Sequence, residues 1–461
     1  MTLIKSISGI RGIIGGKPGE GLSPLDIIKF TAAYSEWILR SKTDKRCRLV
    51  LGRDARPTGE VISRLVSGTV ASMGIDVIDL GLATTPTVEI AVSGEKADGG
   101  IIITASHNPV QWNALKLLND KGEFLSAADG EQILEIAADM DYSFAGYEHT
   151  GSISKNNGYH ARHIEMVLKM PGINIEKIKS RDFTVAVDCV NSVGGLVLPE
   201  LLKKLGVKKV VELYTSPTGI FPHNPEPLPE NLKELSAAVL SNNADLGFVV
   251  DPDVDRLAVI SEDGTSFNEE YTIVACADYI LSKNGGDSVS NMSSSRALRD
   301  ITEKYGGKWH ASAVGEVNVV AKMKEVNAII GGEGNGGVIY PPLHYGRDAL
   351  AGIALFLSLL AESGKSCSEL RSSYPSYVIS KNRVELSEGI DPDALLEEID
   401  RELSGDVVNR EDGLLIENEK GWVQVRKSNT EPILRIYSEG RTKEEADELA
   451  GQVIKIVKKQ A

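Results

Sequence analysis

Apolar and polar residues alternate along the chain in a pattern that predicts repeated strand and helix units. Short apolar runs typical of buried strands are followed by longer segments with apolar residues at helical spacing. Near the amino terminus the runs are RLVLGRD, IDVIDLG and GGIIITAS, with helices predicted over 59–73 and after Ser126. An earlier helix is marked by Ser23 as its N-cap and Pro24 at its first position. This alternation predicts parallel α/β units.

The same alternation continues in two further segments and then changes. A polar, glycine-rich stretch over 146–158 predicts a linker after the first unit. The strands FTVAVDCV and LGFVV belong to a second unit, and a third contains a predicted strand near 328–331 and an apolar helix over 348–360. Beyond Tyr374, two amphipathic helices surround the strands WVQVRKS and ILRIYSE.

These segments predict four domains, at 1–150, 151–252, 253–372 and 373–461. The fold class is α/β: three similar α/β domains with mixed sheets and a smaller C-terminal α+β domain. A length of 461 residues agrees with this division, because a domain usually has about 100–200 residues.

Composition and charge exclude several classes of partner. The formal net charge of −15 argues against a nucleic-acid partner, because binding a phosphate backbone needs a basic face. There is no apolar run of about 18 residues and no apolar signal-peptide core, so we predict a cytoplasmic protein with no membrane partner. The cysteines lie far apart and form no C-x-x-C pair, which predicts reduced packing residues rather than a zinc site or disulfides.

The segment TASHNP follows the apolar strand IIIT and therefore places Ser106 at the carboxyl end of a strand. Open α/β sheets bind their ligands at that edge. A serine hydroxyl becomes a nucleophile when a base or a metal activates it, and the neighbouring His107 and Asn108 can hydrogen-bond phosphate oxygens. Taken alone, the hexapeptide fits a structural turn as well as a catalytic serine.

Three carboxylates, Asp251, Asp253 and Asp255, alternate along a loop directly after the strand LGFVV. Hard oxygen donors on one loop suit Mg²⁺, whose remaining ligands are phosphate and water. A solvated acidic turn is the alternative, although apolar strands flank the loop on both sides. A calcium EF-hand ending at Glu262 is disfavoured, because Arg256 stands where that loop needs a glycine for its sharp turn.

Two later loops have side chains suited to a sugar phosphate, although each also fits a plain turn. The segment GEGNGG lacks the lysine of a P-loop, and its Glu333 and Asn335 can hydrogen-bond sugar hydroxyls. The segment RKSNTEP, with Arg435 just beyond it, gathers groups that bind a phosphate dianion. Near the amino terminus, Arg11 and the loop GRDARPTG add further cations, and the loop fits a structural role equally well.

Together, TASHNP, DPDVDR, GEGNGG and RKSNTEP occur in the order and spacing of the α-D-phosphohexomutase family, which the whole chain resembles. The resemblance implies a heart-shaped protein with a central cleft. It also implies that Ser106 is a phosphoserine and that the three aspartates bind Mg²⁺ together with the serine phosphate. Lys116 would be the general acid or base, with Arg11 and His107 close to the phosphoserine. The substrate-binding residues so implied are Arg256, Glu316, Glu333, Asn335, Arg426, Ser428, Asn429, Thr430 and Arg435.

The reaction implied by the resemblance interconverts hexose 6-phosphate and hexose 1-phosphate in carbohydrate metabolism. Phosphorylated Ser106 gives its phosphoryl group to the free hydroxyl of the hexose phosphate, so that a 1,6-bisphosphate forms. The bisphosphate turns end over end and returns its other phosphate to the serine. Hexose 1,6-bisphosphate is therefore also the activator. The partner is this small-molecule hexose phosphate, and the protein is expected to be a monomer or a homodimer.

The sugar loop departs from the family pattern in a way that bears on the substrate. Phosphomannomutase-like members often have E-x-S-G-H, whereas this chain has Asn335 and Gly337, so that histidine is missing. The E-x-N-G pattern is similar to that of phosphoacetylglucosamine mutases and archaeal-type phosphoglucosamine mutases. We therefore favour glucosamine 6-phosphate to glucosamine 1-phosphate, a choice that the segment around Glu316 can share.

Two alternatives remain at this point. One is a phosphoglucomutase or phosphomannomutase of the same family. The other, more remote, is a non-catalytic sugar-phosphate binding protein, against which Ser106 and the intact aspartate triad argue. The metal loop also departs from the family, since Pro252 and Val254 stiffen a loop that often contains glycine, but its three aspartates are present.

Overall fold

The structure is a computed structural model that describes residues 2–6, 9–42, 46–387, 390–403, 407–427 and 433–460. The chain forms two compact units. The first comprises Met1–Thr272 with Gly336–Ser368, and the second comprises Ile273–Asn335 with Glu369–Ala461. Within the described ranges, no helix is both long and apolar enough to cross a membrane.

The first sheet has the strand order β1-β2-β6-β5-β3-β4-β7 and mixes parallel and antiparallel neighbours. Its elements are β1 (Ile4–Ser6), β2 (Gly9–Ile13), α1 (Pro24–Ser41), β3 (Arg48–Arg53), α2 (Gly59–Ser72), β4 (Asp76–Leu82), α3 (Thr85–Glu95), β5 (Gly99–Ile103), β6 (Trp112–Leu118), α4 (Ala127–Asp139) and β7 (Ile153–Lys155). Strand β5 is buried along its whole length, as its unbroken apolar sequence predicts.

Local signals set the start of α1 as expected. The Ser23 side chain accepts a hydrogen bond from the backbone N–H of Asp26, whose carboxylate in turn accepts from the backbone of Ser23. This capping box satisfies two N–H groups that a helix start otherwise leaves unpaired. The predicted helix over 59–73 is confirmed as α2. The stretch over 146–158 is more than a linker, because β7 lies within it and pairs in parallel with β4.

The second sheet has the order β11-β10-β8-β9. Its elements are α5 (Tyr159–Leu168), α6 (Ile175–Ser180), β8 (Thr184–Asp188), α7 (Gly194–Leu205), β9 (Lys209–Leu213), α8 (Lys233–Ser241), β10 (Leu246–Val250) and β11 (Leu257–Ser261). Strands β10 and β11 form an antiparallel pair around the DPDVDR loop. The sheet therefore continues past residue 252, where the sequence analysis placed a domain boundary.

The following segment contains a parallel sheet with the order β13-β12-β14. Its elements are α9 (Glu270–Asn284), β12 (Ser288–Asn291), α10 (Ala297–Lys304), β13 (Trp309–Ser312), α11 (Glu316–Val326), β14 (Ile330–Glu333), β15 (Gly337–Ile339), α12 (Ala349–Ser363) and α13 (Cys367–Ser372). Helix α12 is buried almost throughout, and Asp348 caps its amino terminus by accepting from two backbone N–H groups.

The last sheet is antiparallel, with the order β16-β20-β19-β18-β17. Its elements are β16 (Val378–Glu385), α14 (Pro392–Glu402), β17 (Val407–Asn409), β18 (Leu414–Glu417), β19 (Gly421–Lys427), β20 (Ile433–Gly440) and α15 (Lys443–Gln460). One face of the sheet packs with α14 and α15 around buried side chains that include Val425, Leu434 and Ile436. On the other face, Leu415 and Trp422 pack with Met292 in a smaller buried cluster.

Candidate active site

Ser106 lies just beyond the end of β5, in a backbone conformation that is unusual for serine. Its φ angle is +48°, in the left-handed region, and its side chain is largely buried. The Oγ atom donates to Oδ2 of Asp251 at 2.6 Å and lies 3.3 Å from Nδ1 of His107. The serine hydroxyl is therefore aimed at the aspartate loop.

The Ser106 loop is held from behind by Arg56, whose side chain is fully buried. The Arg56 guanidinium donates to the carbonyl oxygens of Ser106, Asn108, Pro109 and Trp112. Its Nε lies 3.0 Å from Oδ2 of Asp54. Burial raises the pKa of Asp54, and the Arg56 charge offsets part of that rise. Arg56 thus acts as a structural brace for the candidate nucleophile.

The carboxylates of Asp251, Asp253 and Asp255 are buried and offer oxygen atoms that all lie within 4.8 Å of one another. Burial raises the pKa of Asp251 well above its ordinary value, and the charges of Asp255 and Asp253 add to this effect. One buried oxygen each of Asp253 and Asp255 has no hydrogen-bond partner. Such buried oxygens are strongly unfavourable unless a cation meets them, so the donor set fits a hard divalent ion such as Mg²⁺.

Two cations already contact this triad. Lys116 Nζ lies 2.7 Å from Oδ2 of Asp253 and 3.5 Å from Oδ2 of Asp255. Burial alone would lower the pKa of Lys116, but the two carboxylates outweigh it and raise that pKa. Burial likewise acts to raise the pKa of Asp253, but the Lys116 ammonium prevails and lowers it. Arg347 Nη2 donates to Oδ2 of Asp255 at 2.7 Å.

His107 and Arg256 both approach the carboxylate of Glu226. Glu226 Oε1 is 3.9 Å from Nε2 of His107 and 3.8 Å from Nη1 of Arg256, whose Nε is 3.9 Å from Asp255. Burial and the Arg256 charge hold the pKa of His107 well below its usual value. This shift favours the neutral imidazole beside the serine hydroxyl.

Arg11 enters the same region through the register of the first sheet. It pairs with Ala114 of β6, two residues before Lys116. Residues directly opposite each other, and residues two apart on one strand, project from the same face. Arg11 and Lys116 therefore project from one face of the sheet. The structure brings Arg256 and the candidate catalytic and metal-binding residues of the first unit into one region.

In the second unit, the candidate sugar loop is part of a hydrogen-bond network. Glu333 is buried, and its Oε1 accepts from Nδ2 of Asn291 at 2.7 Å and from the backbone N–H of Gly315 at 3.2 Å. Nδ2 of Asn335 lies 3.4 Å from the other Glu333 oxygen. Gly315 directly precedes Glu316, so the structure brings the GEVNVV and GEGNGG segments together.

The candidate phosphate ligands Arg426 and Arg435 lie directly opposite each other on β19 and β20. Ser428, Asn429 and Thr430, which the sequence analysis assigned to the same task, lie outside the described residues.

The sequence analysis missed Arg347 altogether and left the role of Arg56 open. The sequence signal for Arg347 was its position immediately before Asp348, the N-cap of a largely apolar helix. Its partner Asp255 is distant in sequence, however, and only the folded chain shows the contact. For Arg56, no pattern in the neighbouring sequence distinguishes an arginine that holds a loop in place from one that binds the substrate.

Comparisons with known proteins give one consistent result. Sequence profiles of phosphoglucomutase/phosphomannomutase match the chain as alpha/beta/alpha domains I, II and III over residues 3–143, 161–264 and 268–377, and as the C-terminal domain over 383–456. The expected fold class, three α/β domains with a smaller C-terminal domain, is confirmed.

Individual relatives agree over nearly the whole chain. A protein of Thermococcus kodakarensis named phosphoglucomutase/phosphomannomutase is 36% identical and covers 97% of each chain. A "probable phosphoglucosamine mutase" of Methanopyrus kandleri is 31% identical, covering 98% of this chain and 97% of the relative. The crystal structure of a phosphoglucomutase/phosphomannomutase family protein from Burkholderia thailandensis superposes with a TM-score of 0.85, at 26% identity, over 99% of this chain and 98% of the other.

Proposed function

Because the chain belongs to the phosphoglucomutase/phosphomannomutase family of isomerases, we propose that it moves a phosphoryl group between two hydroxyls of a hexose phosphate through Ser106. The observation that carries the proposal is the 2.6 Å hydrogen bond from the Ser106 hydroxyl to Asp251. It places a candidate phosphoryl carrier against a buried triad of carboxylates. A serine in an ordinary surface turn is not expected to contact a buried group of carboxylates.

In the proposed reaction, the phosphorus–oxygen bond of phosphorylated Ser106 breaks as the free hydroxyl of the hexose phosphate attacks. The attacking hydroxyl gives up its proton, the serine oxygen becomes a hydroxyl again, and a hexose 1,6-bisphosphate is formed. The reverse sequence with the other phosphate regenerates phosphoserine and releases the isomerised monophosphate. Hexose 1,6-bisphosphate is accordingly the activator that phosphorylates the serine.

The residues around Ser106 have separate tasks in this proposal. We assign to Lys116 the transfer of the proton of the reacting hydroxyl. Its ammonium, 2.7 Å from Asp253, also contributes positive charge beside the triad. Arg11, on the same face of the sheet, and neutral His107 supply hydrogen bonds to the phosphoryl oxygens. Arg256, whose Nε lies 3.9 Å from Asp255, contributes a further positive charge beside the triad. These roles share one physical basis, the stabilisation of charge spread over the transferred oxygens.

Asp251, Asp253 and Asp255 are proposed to hold Mg²⁺. The ion would neutralise the negative charge that accumulates on the transferred group. Asp253→Asn should weaken Mg²⁺ binding in calorimetric titrations because a formal charge leaves a site for a hard cation. An unchanged titration would show that the triad has another role.

For the sugar, we propose glucosamine phosphate, with Glu333 and Asn335 as its contacts and Glu316 nearby. Glu333 is oriented by Asn291 and the Gly315 backbone, so its carboxylate has a defined position for a sugar hydroxyl or amine. The name of the Methanopyrus kandleri relative supports this choice. The name of the more similar Thermococcus kodakarensis relative favours glucose or mannose phosphate instead. Arg426 and Arg435, with Ser428, Asn429 and Thr430, are proposed to bind the phosphate that does not react.

Two measurements test these proposals. Intact-mass analysis should show an adduct of about 80 Da, one phosphoryl group, that maps to Ser106 and is absent from Ser106→Ala. Coupled assays with the phosphates of glucosamine, glucose and mannose should then rank the substrates by kcat/KM. Wild-type turnover by the folded Ser106→Ala variant in the presence of bisphosphate would refute the phosphoserine mechanism, since no other group could carry the phosphoryl between half-reactions.

A further inference from the structure

The C-terminal sheet has three arginines in one row across neighbouring strands. Arg435 of β20 lies directly opposite Arg383 of β16 on one side and directly opposite Arg426 of β19 on the other. Residues directly opposite each other in an antiparallel sheet have Cβ atoms about 4.5–5.5 Å apart and project from the same face. Three guanidinium groups therefore project from one face at one level of the sheet. We call Arg383, Arg435 and Arg426 the arginine row.

The arginine row lies on the face that the helices leave uncovered. Val384 and Leu434, which alternate with Arg383 and Arg435 along their strands, pack into the core that includes residues of α14 and α15. Because successive side chains of a strand point to opposite faces, the arginine row projects away from that core. The three arginines therefore do not contribute to the apolar core between the sheet and the helices α14 and α15.

Within the described residues, no side chain forms an ion pair or a hydrogen bond with any of the three guanidinium groups, and the buried Nε of Arg426 has no partner. Other cations of the same domain are matched: Lys427 lies 2.8 Å from Asp393, and Arg410 lies 3.0 Å from Asp400. Like charges directly opposite each other destabilise a sheet, and a buried unsatisfied donor adds to that cost. An anion bound at the row would remove both effects.

The arginine row also connects with the candidate sugar loop inside the second unit. Gln424, two residues before Arg426 on the same face, accepts a hydrogen bond from the Ser293 hydroxyl. Ser293 belongs to the loop after β12, and its backbone N–H donates to Asn291, the last residue of β12, which in turn donates to Glu333. Strand β19, together with hydrogen bonds through Ser293 and Asn291, therefore connects the row to Glu333, the residue proposed to bind the sugar. A ligand with a phosphate and hydroxyl groups fits this arrangement better than a free anion.

We propose that Arg383 is a third phosphate-binding residue, which together with Arg435 and Arg426 holds the non-reacting phosphate of the hexose phosphate. This inference rests on the proposed function and adds a residue of strand β16, far in sequence from the RKSNTEP segment. Arg383 is exposed, whereas Arg426 and Arg435 are half-buried. It therefore forms the outer end of the row, where a guanidinium can bind two oxygens of a phosphate dianion in the bidentate manner.

The test compares Arg383→Gln and Arg383→Lys with the matched control Arg410→Gln, which removes an exposed arginine of the same domain that already has a carboxylate partner. All three changes are made in the full chain with Ser106→Ala, so that ligand binding is measured without turnover. Calorimetry with glucose 6-phosphate, glucose and inorganic phosphate gives the affinities. Thermal unfolding with and without glucose 6-phosphate reports whether a change acts on the fold or on the ligand.

We expect Arg383→Gln to weaken glucose 6-phosphate binding about five- to twentyfold, the scale of a charge-assisted hydrogen bond at an exposed position. Arg383→Lys should lose less, and Arg410→Gln should bind as the parent does. Without ligand, Arg383→Gln should melt at the same or a higher temperature, because a like-charge contact is removed. In the enzyme with Ser106 restored, KM should rise while kcat changes less than about twofold.

Two results would overturn the proposal. One is unchanged glucose 6-phosphate affinity in Arg383→Gln. The other is a combination of two observations: Arg383→Gln melts at a lower temperature both with and without ligand, and Arg383→Lys binds glucose 6-phosphate normally. That combination would mean that Arg383 stabilises the fold and does not bind the phosphate. Failure of the proposed function would look different: the wild type would lack mutase activity, while the difference in phosphate affinity between Arg383→Gln and its control would persist.

Discussion

Replacing Arg56 by methionine should destabilise the first unit and release the loop that carries Ser106. Methionine has a similar length but donates no hydrogen bonds, so it leaves the buried Asp54 carboxylate without its cation and four carbonyl groups without their donor. Removing one partner of a buried ion pair typically costs about 3–5 kcal/mol. Total stabilities are about 5–15 kcal/mol, so the loss is a large share of the whole.

The magnitude can be divided by a double-mutant cycle with Asp54→Asn. In Arg56→Met the charge of Asp54 remains buried. The double variant Asp54→Asn/Arg56→Met removes that charge and leaves only the loss of the hydrogen bonds from Arg56 to the carbonyl groups. The double variant should therefore recover about 1–3 kcal/mol relative to Arg56→Met alone. Urea unfolding gives the free energies, and hydrogen exchange of the segment 104–115 reports the loop directly.

Arg53→Met is the matched control, because it makes the same chemical change three residues earlier, at the end of β3. Arg53 is partly exposed, with a 3.2 Å hydrogen bond to the Asp54 carbonyl and a 3.8 Å approach to Glu60. It should cost less than about 1 kcal/mol. If Arg56→Met cost no more than Arg53→Met and exchange over 104–115 were unchanged, the argument that Arg56 braces the loop would be refuted.

Three further predictions concern other parts of the two units. Arg347→Met should lower the melting temperature measured without Mg²⁺, because Asp255 loses its 2.7 Å partner. Added Mg²⁺ should then raise the melting temperature of the variant by more than it raises that of the wild type. An equal rise in both proteins would contradict this prediction. Asn335→Ser should lower kcat/KM for glucosamine phosphate more than for glucose phosphate, by about 1–2 kcal/mol; equal losses for both sugars would remove Asn335 from sugar selection. Burial raises the pKa of the Glu439 carboxyl from 4.5 to about 7, so the folded state holds this proton more tightly than the unfolded state does. The resulting stabilisation of the fold is complete below pH 4.5 and is lost as the pH rises through 7. Urea unfolding of Glu439→Gln should therefore depend less on pH over this window, and an unchanged pH profile would place the titration elsewhere.

The sequence predicts best those features whose cause lies within a few neighbouring residues. Ser23 and Pro24 mark the start of α1 because the capping box is formed by adjacent positions. The fully apolar run before Ser106 predicts β5 because a strand covered on both faces must be apolar throughout. The spacing of three aspartates in DPDVDR is likewise local, and the structure places their oxygens together.

Features that depend on pairing between distant segments escaped the sequence analysis. Strand β7 has three exposed residues and therefore no apolar pattern, and it forms only because β4 offers an edge. Strand β16 has exposed or half-buried residues throughout, so the change of pattern beyond Tyr374 did not predict it. Because the sequence analysis did not predict β16, it could not predict the register of β16 against β20, which places Arg383 opposite Arg435. The same reason hides the contact of Arg347 with Asp255.

The geometry at Ser106 and Asp251 depends on two residues that are held in the left-handed region. Val254 has a φ angle of +64°, which is unusual for a β-branched residue, and Ser106 has one of +48°. Such conformations cost about 1–3 kcal/mol each and persist only where the surroundings fix them. Ser106 is the donor of the hydrogen bond to Asp251, and Val254 lies in the same loop as Asp251, so the strain lies at the proposed centre of the chemistry.

The surroundings that fix the DPDVDR loop come from three distant segments of the first unit. Thr85 donates through its backbone to the Asp253 carbonyl and through its hydroxyl to the Asp253 carboxylate. The Ser192 hydroxyl donates to the Pro252 carbonyl, and the backbone N–H of Ala349 donates to the Val254 carbonyl. Each contact orients one peptide group of the loop, as Arg56 does for the loop of Ser106. The positions of the serine oxygen and the aspartate oxygens are therefore determined by the tertiary structure and not by the motifs themselves, which is why TASHNP and DPDVDR, taken alone, also fit ordinary turns.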